Sequence, residues 1–409
     1  LDPQSTIHNP PSRTLRVATC TPVAFPADEH FYARDSGLLC RGFQAAGAEC
    51  MVVMPGDSSL SDAPDLVRCR NEDLSDPTWW KSLNLNLVVL YAWGDPVYRP
   101  VADAIREAGI TLIQGLDTAG LHTPYGNKRD WWRCLISMLA APQPHTTKIR
   151  LLAKAVRDFI PALYERSRLD MMARCDRLAV VSPPAARSIT DYVKALGQTD
   201  IARKILVLPH PVASSMQPFG VKTAKVLVVG RWRAGDRAQK DPELTLAVLR
   251  NFLETKPEWR AEVVGVGSEN LNTLTGSWSE GTRSRLLLTD FLSRDDLLFR
   301  YQESRILLCC SRFESFHISS AEALCCGCSI VVADHPLLAS TGWFTTRESG
   351  AIAGNRDAFS LTEALRGEAA AWLEGRRNSV KISENWIPTL HAKNVALSIL
   401  DKFKNTHGL

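Results

Sequence analysis

The chain has 409 residues, which exceeds one ordinary core and fits two domains of common size. Hydrophobic residues make up 45% and charged residues 22%, a globular mix that excludes long disordered and fibrous classes. A formal net charge of +4 is mild over this length; it tolerates an anionic ligand or surface and gives no reason to expect nucleic acid as a partner.

Residues 1–14 are polar and proline-rich and read as a loose tail. No signal-peptide pattern follows, and no stretch approaches the ~18 apolar residues of a membrane span. A cytoplasmic protein is expected, with peripheral membrane contact left open. Over residues 15–212, short β-branched runs recur at Leu15–Thr19, Met51–Met54, Leu87–Leu90, Thr111–Ile113, Leu178–Val181 and Ile205–Leu208. Runs of this length suit strands buried on both faces. Helical segments such as Val101–Ala108, stopped by Gly109, lie between them, and the alternation predicts a parallel sheet covered by helices. The stretch Lys128–Leu169 is helical and basic, with Trp131, Trp132, Arg133, Lys148, Arg150, Lys154 and Arg157. Tryptophan beside lysine and arginine suits a membrane surface. Pro142 and Pro144 interrupt the pattern, so a helical hairpin with solvated basic faces is the preferred reading.

Pro209–Thr223, with three prolines and two serines, is the predicted linker. The alternation restarts over residues 213–385, at Lys225–Gly230, Ala261–Gly265, Leu286–Leu288, Ile306–Leu308 and Ser329–Val332. Residues 386–409 form a C-terminal helix. The predicted fold class is therefore α/β, with two doubly wound, Rossmann-like domains. Ligands of such sheets sit beyond the carboxyl ends of the strands, so the expected site is a cleft between the two units. The cysteines, eleven in all, are densest at Cys309–Cys310 and Cys325–Cys328, both apolar stretches where packing is the expected role.

The strongest constellation runs from Glu314 to Gly327, between two predicted strands. A short helix should start near Ser319 and stop before Gly327. Its first turn offers backbone N–H groups and a positive dipole end to an anion such as a diphosphate. Glu314 can accept hydrogen bonds from sugar hydroxyls, and Glu322 from a ribose diol. Ser319-x-x-Glu322 is equally a capping box, in which Glu322 would only close the helix start. Arg231 after Gly230, and Lys240 further along, are cations on a loop leaving a strand end, placed to stabilise a diphosphate leaving group. Gly265-x-Gly267 lacks the third glycine of a dinucleotide fingerprint and reads as a tight turn on the cleft rim.

Taken in order, these pieces resemble the family-4 retaining glycosyltransferases of the two-domain GT-B fold (glycosyl transferases group 1). The matching string is Val229-Gly230-Arg231, Lys240-Asp241, Val264-Gly265-x-Gly267, Thr289-Asp290-Phe291-Leu292-Ser293 with Asp296-Leu297, Cys310-Ser311-x-x-Glu314 and Glu322-Ala323-x-x-x-Gly327. The resemblance covers about residues 205–365. It implies two domains facing a cleft, an acceptor-side domain followed by a donor domain, with the C-terminal helix packing back on the first. It implies that Arg231 and Lys240 hold the donor diphosphate, and that Glu314 binds the transferred sugar. Glu322 would take the ribose, and Leu292 would lie near the base. Backbone amides from Phe316 through His317 and Ile318 to Ser319 would complete the cradle. No cofactor and no metal are implied beyond the nucleotide-sugar co-substrate, and Asp295–Asp296 reads as a helix start.

Two departures stand out. His317 occupies a place where such enzymes usually have a small residue, often glycine; it either shapes the sugar pocket or packs. In the first unit the usual glycine pair is missing, with only Gly37 further on, and the usual histidine after the fourth strand is replaced by Asp117, with His122 nearby. Asp117 could orient the sugar or take the acceptor proton, or cap the next helix. The expected activity is transfer of a sugar from a nucleoside-diphosphate donor to a glycan, lipid or small-molecule hydroxyl with retention. A GT-B nucleotide-sugar epimerase and a non-catalytic nucleotide-sugar-binding partner protein are the rivals.

Overall fold

The computed structural model describes residues 14–58, 62–116, 145–159, 161–233 and 236–407, with a few positions between 132 and 139. Two parallel sheets carry the fold. The first contains β1 (Arg16–Cys20), β2 (Glu49–Pro55), β3 (Leu66–Cys69), β4 (Leu87–Leu90), β5 (Thr111–Leu116), β6 (Arg177–Val180) and β7 (Ile205–Val207), in the order β3-β2-β1-β4-β5-β6-β7. The second contains β8 (Thr223–Val229), β9 (Arg260–Val264), β10 (Leu286–Thr289), β11 (Ser304–Cys309), β12 (Ser329–Ala333) and β13 (Gly350–Ala353), in the order β10-β9-β8-β11-β12-β13. Both are doubly wound, with the strand order reversing between β1 and β4 and between β8 and β11. Two edge or near-edge strands, β3 and β13, were not marked by β-branched runs. β3 carries Arg68 in its middle, held by Asp62 at 3.4 Å. β13 starts with Gly350, where a Cβ would fall 2.0 Å from the Ile330 carbonyl oxygen, so the close approach to β12 requires glycine.

The central strands are buried on both faces, as their apolar runs demand: every residue of β4 and β12 is buried. The ten described cysteines are free and buried. Burial pushes the Cys309 thiol up to about 11, so it stays protonated and packs as a small apolar group. Among the described residues, no helix is long and apolar enough to cross a membrane.

The helix Ser379–Leu390 lies against the helix Ile318–Cys325 of the second domain, and the chain then returns to the first. The return is pinned where Val212 of the linker bridges His391: Val212 N–H donates to Leu390 O at 2.8 Å and Ala392 N–H donates to Val212 O at 2.9 Å. The final helix, Ala392–His407, buries Val395, Ala396, Ile399 and Leu400 with Leu39 and Phe43 of the helix Asp35–Ala45. The two helices meet at Gly42, where a Cβ would stand 2.4 Å from the Ala392 carbonyl oxygen. Gly42→Val should therefore prise the returning helix outward and destabilise the protein by about 1–3 kcal/mol, the usual cost of overpacking. Urea unfolding checks this, and an unchanged midpoint would mean that the contact is not tight.

Candidate active site

The site is assembled at the carboxyl ends of β8 and β11, the point where the second sheet changes winding direction. The glycines expected on the cleft rim have a defined task here. Gly265 has φ +127°, and a Cβ on it would fall 1.8 Å from the Gly230 carbonyl oxygen. The loops after β8 and β9 therefore touch backbone to backbone. Trp232 fastens them by donating its indole N–H to Val264 O at 3.0 Å, and Gly267 N–H donates to Asp290 Oδ1 at 2.6 Å. This stack carries Arg231 out to the cleft, where it is exposed and pairs loosely with Asp236 at 3.4 Å. Leu292 follows the Asp290 loop and is half-buried against the core.

Lys240 and Glu314 meet. Lys240 ends the short helix Arg237–Lys240, and its Nζ lies 2.5 Å from Glu314 Oε1. Gln239 donates to the other carboxylate oxygen at 3.2 Å and to Phe313 O at 3.1 Å, while Glu314 N–H donates to Leu337 O at 2.9 Å. Glu314 is buried, which works to raise its pKa; Lys240, His317 and the hydrogen bonds outweigh burial and hold the carboxyl below its usual value. It is an ionised carboxylate at neutral pH. Behind it Asp241 starts the next helix in a left-handed conformation, φ +49°, and its carboxylate is gripped by Arg312 at 2.9 Å and by Arg356. Arg356 also donates to Ser311 O and Cys310 O, tying the loop after β11 to the loop that delivers Lys240.

The helix expected from Ser319 starts slightly earlier. It spans Ile318–Cys325, with His317 as N-cap. His317 has φ +63°, a left-handed conformation that glycine adopts freely and histidine does not. That explains why a small residue would be the ordinary occupant. Its Nδ1 lies 2.6 Å from Ser320 Oγ, and burial lowers its pKa to about 4 against the opposing pull of Glu314, so the ring is neutral. Ser320 and Ala321 direct their N–H groups to His317 O, which leaves the N–H groups of Ile318 and Ser319 heading the turn. The Phe316 ring is in the core, edge-on to Phe344 at 5.1 Å and to His210 at 5.3 Å. Of that residue only the backbone can contribute to a sugar cradle.

The capping box does not form. With His317 as N-cap, Glu322 falls beyond the first turn and on the buried side. Its carboxylate accepts from Arg294 Nη2 at 2.8 Å and from the Tyr301 hydroxyl at 2.9 Å. Burial and then the neighbouring Glu322 carboxylate push the Tyr301 phenol well above its ordinary value, so it remains a donor. Both partners come from the helix Arg294–Glu303, which is capped by Ser293 and carries Asp295 and Asp296 in its first turn. Sequence reasoning missed Gln239, Arg294 and Tyr301. The last two are seven residues apart, two turns on one helix face, which is the signal that could have marked them.

Across the cleft, Asp117 and His122 lie outside the described residues; β5, which leads to them, ends at Leu116. Gly37 is not in a loop. It sits in the first turn of the helix Asp35–Ala45, where a Cβ would stand 2.5 Å from Phe31 O. What does face the cleft is a cavity of about 460 Å³ lined by Thr21, Phe25, Asp35, Tyr91, Trp93 and His210, among others. His210, from the linker, lies 3.3 Å from Asp35 Oδ1 through its Nδ1. His30 meets Phe291 of the second domain edge-on at 5.4 Å. Among the described residues, no group of three His, Cys, Asp or Glu side chains could hold a metal ion.

The sequence of residues 216–385 matches the family described as glycosyl transferases group 1. Those residues are a glycosyl transferases group 1 domain. The protein is a glycosyltransferase. No curated protein matches the sequence. Among solved structures, the fold is shared with a lipopolysaccharide outer core galactosyltransferase, WaaB, at 14% identity and TM-score 0.62, covering 95% of this chain and 100% of that one. It is shared with sucrose-phosphate synthase from Thermosynechococcus elongatus, at 14% identity and TM-score 0.60, covering 96% and 99%. It is also shared with Anabaena HepE solved with UDP, at 11% identity and TM-score 0.62, covering 96% and 100%. At such identities the likeness is one of fold, the two-domain GT-B arrangement.

The neutral His317 of this glycosyltransferase has a measurable signature. Its pKa falls from 6.5 to about 4 on folding, so between those limits the unfolded chain binds a proton that the folded chain refuses. The associated stability is complete above pH 6.5 and is lost as pH falls toward 4. His317→Gln should flatten the acid side of the stability profile by up to about 1.4 kcal/mol per pH unit. Denaturant titrations across this range test it; identical slopes for both proteins would show that the ring is not held neutral.

Proposed function

We propose that this glycosyltransferase moves a sugar from a nucleoside-diphosphate donor to an acceptor hydroxyl, keeps the anomeric configuration, and uses no metal ion. One observation supports the reading above the others. Glu314, kept ionised by Lys240, lies in the loop that leads into the N-terminus of the helix Ile318–Cys325, and that helix carries the fixed carboxylate of Glu322. A carboxylate for sugar hydroxyls, a helix start for phosphate and a second carboxylate for a ribose diol thus follow one another along the chain, in the order of a sugar-diphosphate-nucleoside.

In this reading the N–H groups of Ile318 and Ser319, with Lys240 and Arg231, take the charge that grows on the diphosphate as the glycosidic bond breaks. Lys240 has three N–H donors, of which Glu314 occupies one. It can therefore hold the carboxylate and reach the leaving group together. These cations do the work that a divalent ion would otherwise do. Glu322 takes the ribose and Leu292 lies by the base. Asp117 or His122 would act from the end of β5 on the sugar or the acceptor proton. His317 borders the sugar, with its Nε2 proton free to donate when Ser320 donates to Nδ1. HepE, a fold relative, has been solved with UDP and with UDP-glucose, which makes a uridine donor the first to assay. A cytoplasmic site of action fits a nucleotide-sugar donor.

Measuring UDP release with and without acceptors tests the proposal. Glu314→Gln keeps the shape of the side chain and should lower transfer on the order of a hundredfold while leaving UDP affinity nearly unchanged. Arg231→Ala should weaken UDP more than UMP. Nucleotide binding without turnover on any acceptor would instead identify a binding subunit, and interconversion of the free nucleotide-sugar would identify an epimerase. NMR of the product linkage reads the stereochemistry directly. Addition of a strong chelator should leave the rate unchanged, and a loss restored by a divalent cation would refute the metal-free mechanism.

A further inference from the structure

We propose that the helix His145–Phe159 docks this protein on an anionic membrane surface. The helix lies in the first domain and presents Ile149, Leu152, Ala153 and Val156 to solvent. These positions are i, i+3, i+4 and i+7, the spacing of one continuous helix face. In an ordinary surface helix such a face is turned to the core. Here Ile149 is 64% exposed, Leu152 49% and Val156 61%. The helix already has its own packing on another side, where Leu151, like Leu139, packs against the buried Leu135. The outward stripe is therefore additional to the face that holds the helix in place. Trp132 and Ile136, one helical turn apart in the preceding segment, are also exposed, at 46% and 61%.

Charge selects the partner. The helix sequence contains four cations, Lys148, Arg150, Lys154 and Arg157, against the single carboxylate of Asp158. Arg150 is exposed and Lys148 half-exposed, on either side of the apolar stripe in helical projection. An apolar stripe edged by cations matches a layer that is apolar below and anionic at its surface. The helix would lie in the plane of the headgroups with the stripe inserted and the cations in the phosphate layer. Nothing in this argument depends on the sugar-transfer chemistry, so either can fail without the other.

The test is co-sedimentation of the full chain with vesicles of phosphatidylcholine alone and with phosphatidylglycerol added. Binding is expected only to the anionic vesicles, and it should weaken as salt is raised. Lys148→Glu with Arg150→Glu should lower the partition constant roughly fivefold for each cation removed. Ile149→Glu with Val156→Glu should abolish binding. All four positions are on the surface, and unchanged melting temperature and far-ultraviolet circular dichroism would confirm that the variants are folded. Equal binding to both vesicle types, wild-type binding by the Ile149 and Val156 variant, or no binding at all would overturn the proposal. So would light scattering that shows a dimer which this variant dissolves, since the stripe would then be a contact between copies of the chain.

Discussion

The ion pair between Lys240 and Glu314 is the constraint on which the site depends. A carboxylate this deeply buried would ordinarily take up a proton, and a protonated Glu314 would be a weaker acceptor for sugar hydroxyls. Lys240 prevents that, but only because two loops separated by more than seventy residues are held in register. The register is set one layer further in, by Asp241 and the guanidinium groups of Arg312 and Arg356. Asp241 sits in a left-handed conformation that a non-glycine residue adopts at some cost, and its two arginine partners are what make that conformation tenable. The Glu314 carboxylate is thus supported by a second buried carboxylate, Asp241, one layer further in.

The same division separates positioning from chemistry in the backbone. From the sequence Gly265 and Gly267 read as a tight turn on the cleft rim, with Gly230 at the end of the neighbouring strand. In the structure they permit two strand-end loops to touch, and Trp232 and Asp290 lock the contact. Any side chain at Gly265 would displace the loop that carries Arg231. The glycines act on a ligand only by deciding where a cation stands.

What could be read from the sequence follows from what makes a signal local. Central strands were legible because burial on both faces demands uninterrupted β-branched runs. β3 and β13 were not, because an edge strand with one arginine and a strand of glycine and alanine carry no such run. The helix between Glu314 and Gly327 was legible from its breaker and its loop. Its N-cap was misjudged by two residues, since a histidine in a left-handed conformation leaves no propensity signal. That shift is what turned the expected capping box into a buried carboxylate. Glu322 could be named from its spacing, but its partners Arg294 and Tyr301 depend on how one helix lies across another. The pairing of His210 with Asp35 is less legible still, because it joins residues far apart in sequence across a linker.

The two halves of the cleft therefore differ in kind. In the second domain Lys240, Glu314 and Glu322 are each fixed by another group, so the proposed donor site would need little reorganisation as charge develops on a leaving group. On the other side, the cavity around Asp35, Tyr91 and Trp93 has the His210–Asp35 pair, the Arg34–Asp35 and Thr21–Ser36 contacts and an aromatic wall, with exposed Phe25 and Trp93 at its rim. Its pair is anchored from the linker, and His210 also abuts Phe316, the residue before the N-cap His317. A change in the angle between domains must move His210 relative to Phe316 or to Asp35, since it contacts both. The linker histidine thus ties the first-domain cavity to the residue that leads into the helix Ile318–Cys325.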